Sequence, residues 1–117
     1  MSAMNHSDDL EQCIEECTNC HQVCTDTVAQ CLRMGGKHAE AGHITLLLDC
    51  AQICQTSADF MLRGSELHTR TCAACAEVCE RCAEDCAEFD DETMQACADA
   101  CRTCADLCRE MAGAEAA

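Results

Sequence analysis

Cysteine recurs in this chain at the spacing of an α-helix. Residues 72–86 read CAACAEVCERCAEDC, and nothing apolar between these cysteines is larger than Val78. Because an α-helix turns about 100° per residue, side chains at i, i+3, i+4 and i+7 share one face. The stretch therefore predicts a helix that has a continuous row of thiols along one side.

Similar rows occur in four segments of the chain. By helical rotation, the rows of the first, third and fourth segments each span only about 60° to 80° of arc. The second segment has only Cys50 and Cys54, and its row is continued by His43, Leu47 and Met61. Acidic residues occupy the opposite faces: Glu15, Asp26, Glu77, Glu84, Asp99 and Asp106. The thiol rows are therefore predicted to face a common interior.

Glycines and capping residues divide the chain into four helical segments, and the sequence contains no proline. The helices are predicted at about 7–34, 37–63, 65–88 and 90–111. Ser7, Ser65 and Asp90 are the predicted N-caps, and Gly35, Gly64 and Gly113 are expected to follow the first, second and fourth helices. Short connections make neighbouring helices antiparallel. We expect an all-α fold, an antiparallel up-down-up-down four-helix bundle with a cysteine-lined core, forming a single domain over residues 1–117.

Composition makes cysteine the main source of core side chains. The chain has 117 residues, of which 16 are cysteine, and Leu, Ile, Val and Phe together number only 16. Its formal net charge is -15, which argues against nucleic acid or an anionic membrane surface as a partner. The N-terminus has no signal-peptide pattern, and the longest aliphatic run, residues 44–48, is too short to span a bilayer. We therefore expect a cytoplasmic protein, in which metal chemistry is favoured over disulfides.

Seven pairs have the form C-x3-C, which places two sulfurs one helical turn apart. They are Cys13/Cys17, Cys20/Cys24, Cys50/Cys54, Cys75/Cys79, Cys82/Cys86, Cys97/Cys101 and Cys104/Cys108. Inert packing is disfavoured because Cys and Ala would under-fill the axis of a bundle, and thiols at i and i+4 do not face each other as a disulfide requires. Zinc knuckles and iron–sulfur clusters prefer cysteines on turns and loops, whereas Cu(I) is a soft ion that accepts thiolates along a helix. The pattern favours Cu(I) over the other metals.

With these four helices and seven inward C-x3-C pairs, the chain resembles the cytosolic copper storage proteins, which are four-helix bundles that fill their core with Cu(I). The resemblance extends from about Cys13 to Cys108. It implies storage and buffering of several Cu(I) ions per chain and assembly as a homotetramer. A copper chaperone is a further expected partner. Cys31 and Cys72 belong to no C-x3-C pair and are expected to complete sites between helices.

The expected metal ligands are the sixteen cysteines, two histidines and two methionines. They are Cys13, Cys17, Cys20, Cys24, Cys31, Cys50, Cys54, Cys72, Cys75, Cys79, Cys82, Cys86, Cys97, Cys101, Cys104, Cys108, His43, His68, Met61 and Met111. If each sulfur bridges two coppers, one Cu(I) per thiolate leaves the core neutral. The predicted capacity is therefore about 16 Cu(I) per chain, or more if His and Met add sites.

Histidine and methionine are predicted to gather at the two ends of the bundle. One end should hold His68, Met61 and Met111 beside Cys13 and Cys108. The other end should hold His43, Met34 and Met94, the last at the margin of the core face, beside Cys31 and Cys86. Such soft neutral ligands suit transfer of Cu(I) inward. The methionines are equally well explained as core side chains that close the ends of the bundle. His6 and His38 are expected to be solvated, and His21 is open to either role.

Enzymatic activity is not expected, because a catalytic thiol needs one distinct cysteine with an oriented base, whereas these thiols share one context. No nucleotide-binding or H-E-x-x-H motif occurs. The alternative from another class is a thiol-based redox or zinc-buffering module. Titration with Cu(I) and Zn(II) would discriminate between the two.

Overall fold

The computed structural model describes the backbone of residues 2–116 and the side chains of residues 8–113. The four helices are α1 (Ser2–Met34), α2 (Ala41–Leu62), α3 (His68–Ala87) and α4 (Glu92–Ala116), and a 3-10 turn over Gly36–Ala39 joins α1 to α2. Each helix packs on the next and α1 also packs on α4, whereas the diagonal helices α2 and α4 meet through core side chains such as Cys50 and Cys101. The predicted up-down-up-down bundle is confirmed, with extents of 51 × 20 × 20 Å.

All four predicted helix starts are wrong by a few residues. Helix α2 begins at Ala41 rather than near residue 37, because Gly36–Ala39 form a separate 3-10 turn. Helix α1 begins at Ser2, before the predicted cap at Ser7. Helix α4 is capped by Asp91 rather than Asp90, because Oδ2 of Asp91 accepts a hydrogen bond from the backbone N–H of Met94 at 3.2 Å. Ser65 lies in the turn before α3, where its hydroxyl accepts a hydrogen bond from the N–H of Leu67. Local side-chain bonding of this kind fixes a turn as readily as a cap.

Two of the predicted helix ends are correct, and one is wrong. Gly64 has a φ of 69°, which lets the N–H of Gly64 bond to the carbonyl of Met61 and the N–H of Ser65 bond to the carbonyl of Phe60. This pair of bonds is the Schellman motif, and glycine tolerates its left-handed residue without strain. Gly35 also follows the end of its helix with a positive φ of 73°, but its ψ of -167° is extended and does not form a Schellman motif. Gly113, however, lies inside α4.

The core is a column of sulfur and small side chains along the bundle axis. All sixteen cysteines have no exposed surface, and the buried apolar residues beside them are Leu47, Ala51, Ala58, Met61, Ala76, Ala83, Met94, Ala98, Ala105 and Met111. The acidic residues predicted on the outer faces are exposed. Within residues 2–116, no helix combines the length and apolar character needed to cross a membrane.

Candidate metal centre

The thiols of the core touch one another across the helices. Sulfur–sulfur distances range from 3.4 Å between Cys17 and Cys108 to 4.0 Å between Cys20 and Cys24. The axis is therefore filled by thiols in contact, where the sequence predicted empty space, because Cys and Ala side chains let the helices approach closely. No two of the cysteines are bonded as a disulfide.

These contacts join cysteines of different helices into overlapping groups. In each group every sulfur lies within 4.8 Å of the others. The groups are Cys17/Cys75/Cys104/Cys108, Cys20/Cys24/Cys50/Cys101, Cys20/Cys50/Cys54/Cys79, Cys54/Cys75/Cys79/Cys104 and Cys13/Cys72/Cys108. Seven cysteines each belong to two groups, so that the groups form a continuous network rather than isolated sites: Cys20, Cys50, Cys54, Cys75, Cys79, Cys104 and Cys108. A sulfur that is shared in this way is placed to bridge two ions.

The two cysteines of α2 are central to this network. Sγ of Cys54 lies 3.5 Å from that of Cys79, 3.7 Å from that of Cys75 and 3.8 Å from that of Cys104. Sγ of Cys50 lies 3.6 Å from that of Cys79 and 3.8 Å from that of Cys101. The helix with the fewest cysteines thus supplies two of the best-connected sulfurs.

Neighbouring thiols shift one another's pKa values. Hydrogen bonds from Cys104 and then Cys108 lower the pKa of Cys17, and hydrogen bonds from Cys108 and then Cys13 lower the pKa of Cys72. A thiolate in the network is thus stabilised by S–H donors on other helices. Cys31 differs, because burial raises its pKa to about 11, with smaller contributions from the charges of Cys97, Asp91 and Asp85.

At one end of the bundle, His43 and Met94 meet Cys31. Nε2 of His43 and Sδ of Met94 each lie 3.5 Å from Sγ of Cys31. Nδ1 of His43 lies 2.5 Å from Oδ2 of Asp85, and Nε2 on the other side of the ring faces the sulfur. The ring of Phe89 packs on His43 with centroids 4.7 Å apart. This end therefore contains a thiol, an imidazole and a thioether in contact.

At the opposite end, Met61 and Ser57 contact Cys72. Sδ of Met61 lies 3.8 Å from Sγ of Cys72, and Oγ of Ser57 lies 3.2 Å from the same sulfur. His68 is buried here, and its Nδ1 donates to the carbonyl of Ser65 at 2.8 Å. Met111 is also buried. The structure therefore places the four predicted His and Met residues in the core, two of them in contact with a cysteine sulfur.

Two residues do not behave as the sequence predicted. Met34 was expected beside Cys31, but its side chain is 47% exposed at the end of α1. His38 was expected to be solvated, but its Nε2 pairs with Oδ1 of Asp91 at 2.8 Å and its ring packs on Phe89. His21 is partly buried, and its Nδ1 donates to the carbonyl of Ala51. The side chain of His6 lies outside the described residues.

Asp85 and Ser57 were not predicted from the sequence, and Met94 was predicted only at the margin of the core. Met94 has no exposed surface and continues the row of Cys97 and Cys101 at a spacing of three residues, a signal that was available. Ser57 occupies the next position of the α2 row after Cys54. Asp85 reaches His43 from α3, and sequence spacing alone does not indicate such a contact between helices.

Comparison with known proteins gives matches over nearly the whole chain. The family model described as copper storage protein matches residues 6–113. A structure similar to this one is that of the Nmul_A1745 protein from Nitrosospira multiformis, with a TM-score of 0.89, 43% identity and coverage of 92% of this chain and 98% of that one. The Cu(I)-bound copper storage protein BsCsp3 of Bacillus subtilis has a TM-score of 0.84, 39% identity and coverage of 89% and 98%. A cytosolic copper storage protein from Streptomyces lividans, with five coppers, has a TM-score of 0.79, 30% identity and coverage of 91% and 93%.

Proposed function

The chain belongs to the copper storage protein family, and from this premise we propose that it stores and buffers Cu(I) in its cysteine-lined core. The observation that carries the proposal is the continuous network of sulfurs with no exposed surface. Soft thiolates that are shielded from water and shared between groups suit a soft monovalent ion. No cysteine is exposed as an enzymatic nucleophile would be, which supports storage rather than catalysis.

The spacing of the sulfurs fits copper with little rearrangement. A first-row metal–thiolate bond is about 2.3 Å, the zinc value, so three thiolates around one ion lie about 4.0 Å apart and a linear pair lies about 4.6 Å apart. The contacts of 3.4 to 4.0 Å between the cysteine sulfurs are equal to or slightly shorter than these spacings. Loading then requires sulfurs to separate by no more than about 1.2 Å, which a bundle accommodates by small shifts of its helices.

The proposed capacity is about 16 Cu(I) per chain, one for each thiolate. Eight isolated two-thiolate sites would leave about eight uncompensated negative charges in a buried core, at several kcal/mol each. Bridging removes that cost, because each added Cu(I) then balances one thiolate. The C-x3-C pairs supply the sulfurs of the network, while His43, His68, Met61 and Met111 are proposed as ligands at its two ends.

The proposed location is the cytoplasm, and the proposed assembly is a homotetramer. A cytoplasmic location is supported by the similar Streptomyces lividans protein, which is described as cytosolic. A homotetramer is supported by large apolar side chains that stay exposed on the single chain, among them Leu48, Leu62 and Leu67. The family model's match to residues 6–113 supports a single domain over residues 1–117. A copper chaperone is proposed as the partner that delivers the metal.

The proposal is tested by titrating copper-free protein anaerobically near neutral pH with Cu(I), while bound copper and released protons are measured together. Saturation at about 16 Cu(I), with one proton released per ion because a thiol must ionise to bind, is expected. A Cys50→Ser/Cys54→Ser variant should lose about two equivalents, since hydroxyl is a poor ligand for a soft ion. Saturation near eight, with two protons per copper, would instead indicate isolated two-thiolate sites.

Zinc buffering is the second candidate, and the groups of four cysteines favour it. Four buried thiols within 4.8 Å of one another, such as Cys17/Cys75/Cys104/Cys108, suit the tetrahedral coordination of zinc. A parallel titration with Zn(II) separates the two functions. A copper store should bind few Zn(II) ions and lose them to Cu(I), whereas a chain that binds Zn(II) tightly and only a few Cu(I) would overturn the copper proposal.

A further inference from the structure

None of the sixteen core thiols can be reached from solvent, because no cysteine has exposed surface. His43, which stands between Cys31 and the surface at one end of the bundle, is itself only 6% exposed. An ion therefore reaches a sulfur only when some part of the bundle moves. The connections between helices move at the lowest cost, since segments with few buried contacts open most readily.

The connection between α1 and α2 has the properties of a movable segment, and we call its residues 35–40 the strap. No residue of its 3-10 turn is buried. The strap leaves α1 through Gly35 and Gly36, which have φ values of 73° and 58°. A Cβ added at either glycine would meet no atom within 4 Å beyond the adjoining residues. Two unpacked glycines in succession form a hinge, because glycine changes its backbone angles without steric cost.

One side chain of the strap, His38, ties it to the connection between α3 and α4. Nε2 of His38 pairs with Oδ1 of Asp91 at 2.8 Å, while the other oxygen of this carboxylate caps α4. The ring of Phe89 packs on His38 with centroids 4.4 Å apart and on His43 with centroids 4.7 Å apart. Nε2 of His43 in turn faces Sγ of Cys31. Three stacked rings therefore lead from the strap to a core sulfur.

We propose that the strap is a gate that controls the access of Cu(I) to the core at this end of the bundle. In the closed state, Asp91 holds His38, and His38 keeps Phe89 on His43. When the pair between His38 and Asp91 breaks, the strap turns about its glycine hinge and Phe89 leaves His43. The inference rests on the proposed function, because it assumes that the core takes up Cu(I).

A surface pocket beside the strap supports this movement. Its volume is about 210 Å³, and its lining residues are Lys37, Glu40, Asp85, Glu88 and Phe89. The ring of Phe89 thus borders an open space into which it can turn. Three of the five lining residues are acidic, so the local field favours the approach of a cation. The pocket therefore offers both room for the ring to leave and a path for a positively charged ion.

The gate is tested by the rate at which copper-free protein takes Cu(I) from its bicinchoninate complex, followed anaerobically by stopped-flow absorbance. Chelator concentrations are chosen so that uptake by the protein limits the rate. His38→Ala should load about five- to tenfold faster, the effect of losing one hydrogen bond, at unchanged capacity. Asp91→Asn keeps the cap of α4 and should give a smaller increase. Ser65→Ala is the matched control, because it removes a hydrogen bond from the turn before α3, and it should load at the unmodified rate.

Fluorine nuclear magnetic resonance tests whether the ring of Phe89 is held by the strap. The chain has two phenylalanines, so protein labelled with 4-fluorophenylalanine gives one signal from Phe89 and one from Phe60. Phe60 is the internal control, because it packs against Arg63 at the end of α2. In copper-free His38→Ala, the Phe89 signal should shift or broaden while the Phe60 signal stays unchanged.

The contrary results separate the gate from the proposed function. If His38→Ala binds about 16 Cu(I) at the unmodified rate, the gate is overturned and the proposed function stands. Equal acceleration by Ser65→Ala would mean that any loosened connection speeds loading, which would overturn a specific role of the strap. A Phe89 signal that His38→Ala leaves unchanged would overturn it as well. If the chain binds almost no Cu(I), the proposed function fails together with the gate.

Discussion

Replacing Leu47 with alanine tests whether the bundle is held together independently of copper. Leu47 is among the largest side chains with no exposed surface, and most of the core around it is Cys and Ala. A buried Leu→Ala change costs about 2 to 5 kcal/mol, partly by transfer and partly through the cavity left behind. We expect about 3 to 5 kcal/mol here, because cysteine and alanine side chains are too short to fill the void.

The measurement is guanidinium unfolding of the copper-free, fully reduced protein, followed by far-ultraviolet circular dichroism without air. Leu48→Ala is the matched control, since Leu48 is the next residue of the same helix but is 51% exposed. The control should change the free energy of unfolding by no more than about 0.5 kcal/mol. Copper capacity of Leu47→Ala should equal that of the unmodified chain, because leucine offers no donor atom.

Two results would refute this reasoning. Leu47→Ala and Leu48→Ala variants that unfold at the same denaturant concentration would mean that the core leucine contributes nothing without metal. Copper-free protein that shows no cooperative transition would mean that copper organises the fold, as zinc does in zinc fingers. In either case the apolar contacts of the copper-free bundle would not be what holds the helices in place.

Three further outcomes are expected. Far-ultraviolet circular dichroism should change little between copper-free and loaded protein, whereas a large gain in helix on loading would contradict a preformed bundle. His68→Ala should slow the loading or removal of copper and leave the copper capacity nearly unchanged. Stopped-flow chelator exchange measures these rates. A loss of several copper equivalents at unchanged rates would mean that His68 is a ligand of the stored copper. Because burial raises the pKa of Cys31 from 9.0 to about 11, its stabilising contribution to the copper-free protein is complete below pH 9 and is lost as pH rises through 11. Cys31→Ser should therefore flatten the fall in unfolding free energy between pH 9 and 11, by up to about 3 kcal/mol, and an identical slope in both proteins would contradict the shift.

The architecture and the direction of every cysteine row were predictable from the sequence, since 3.6-residue periodicity assigns a face without knowledge of partners. Cys75 and Cys101, for example, are buried where their spacing predicts. The ends of the helices were less predictable. Asp90 and Asp91 are both good caps, and only the backbone geometry of the loop selects Asp91.

The residues that lie at the two ends of the bundle could be predicted from the sequence, but the contacts between their side chains could not. His43 and Cys31 could be assigned to one end from antiparallel packing alone. The bond from His43 to Asp85 depends on the distance between α2 and α3, and the pairing of His38 with Asp91 depends on the path of two connections. Met34 shows the opposite error. Its position in the row predicts an inward side chain, but in the last turn of the helix this side chain is exposed.

The contacts between sulfurs also determine how the protein would be oxidised in air. Cys17 and Cys108 lie 3.4 Å apart on different helices, and Cys54 and Cys79 lie 3.5 Å apart. Oxidation of such a pair would join two helices covalently after a small movement and withdraw two thiolates at once. Bound copper occupies the same sulfur lone pairs, so an empty chain is the more vulnerable one. The number of Cu(I) ions that a preparation can bind would then fall with its exposure to oxidants. The molecules that hold the least copper would lose this capacity first.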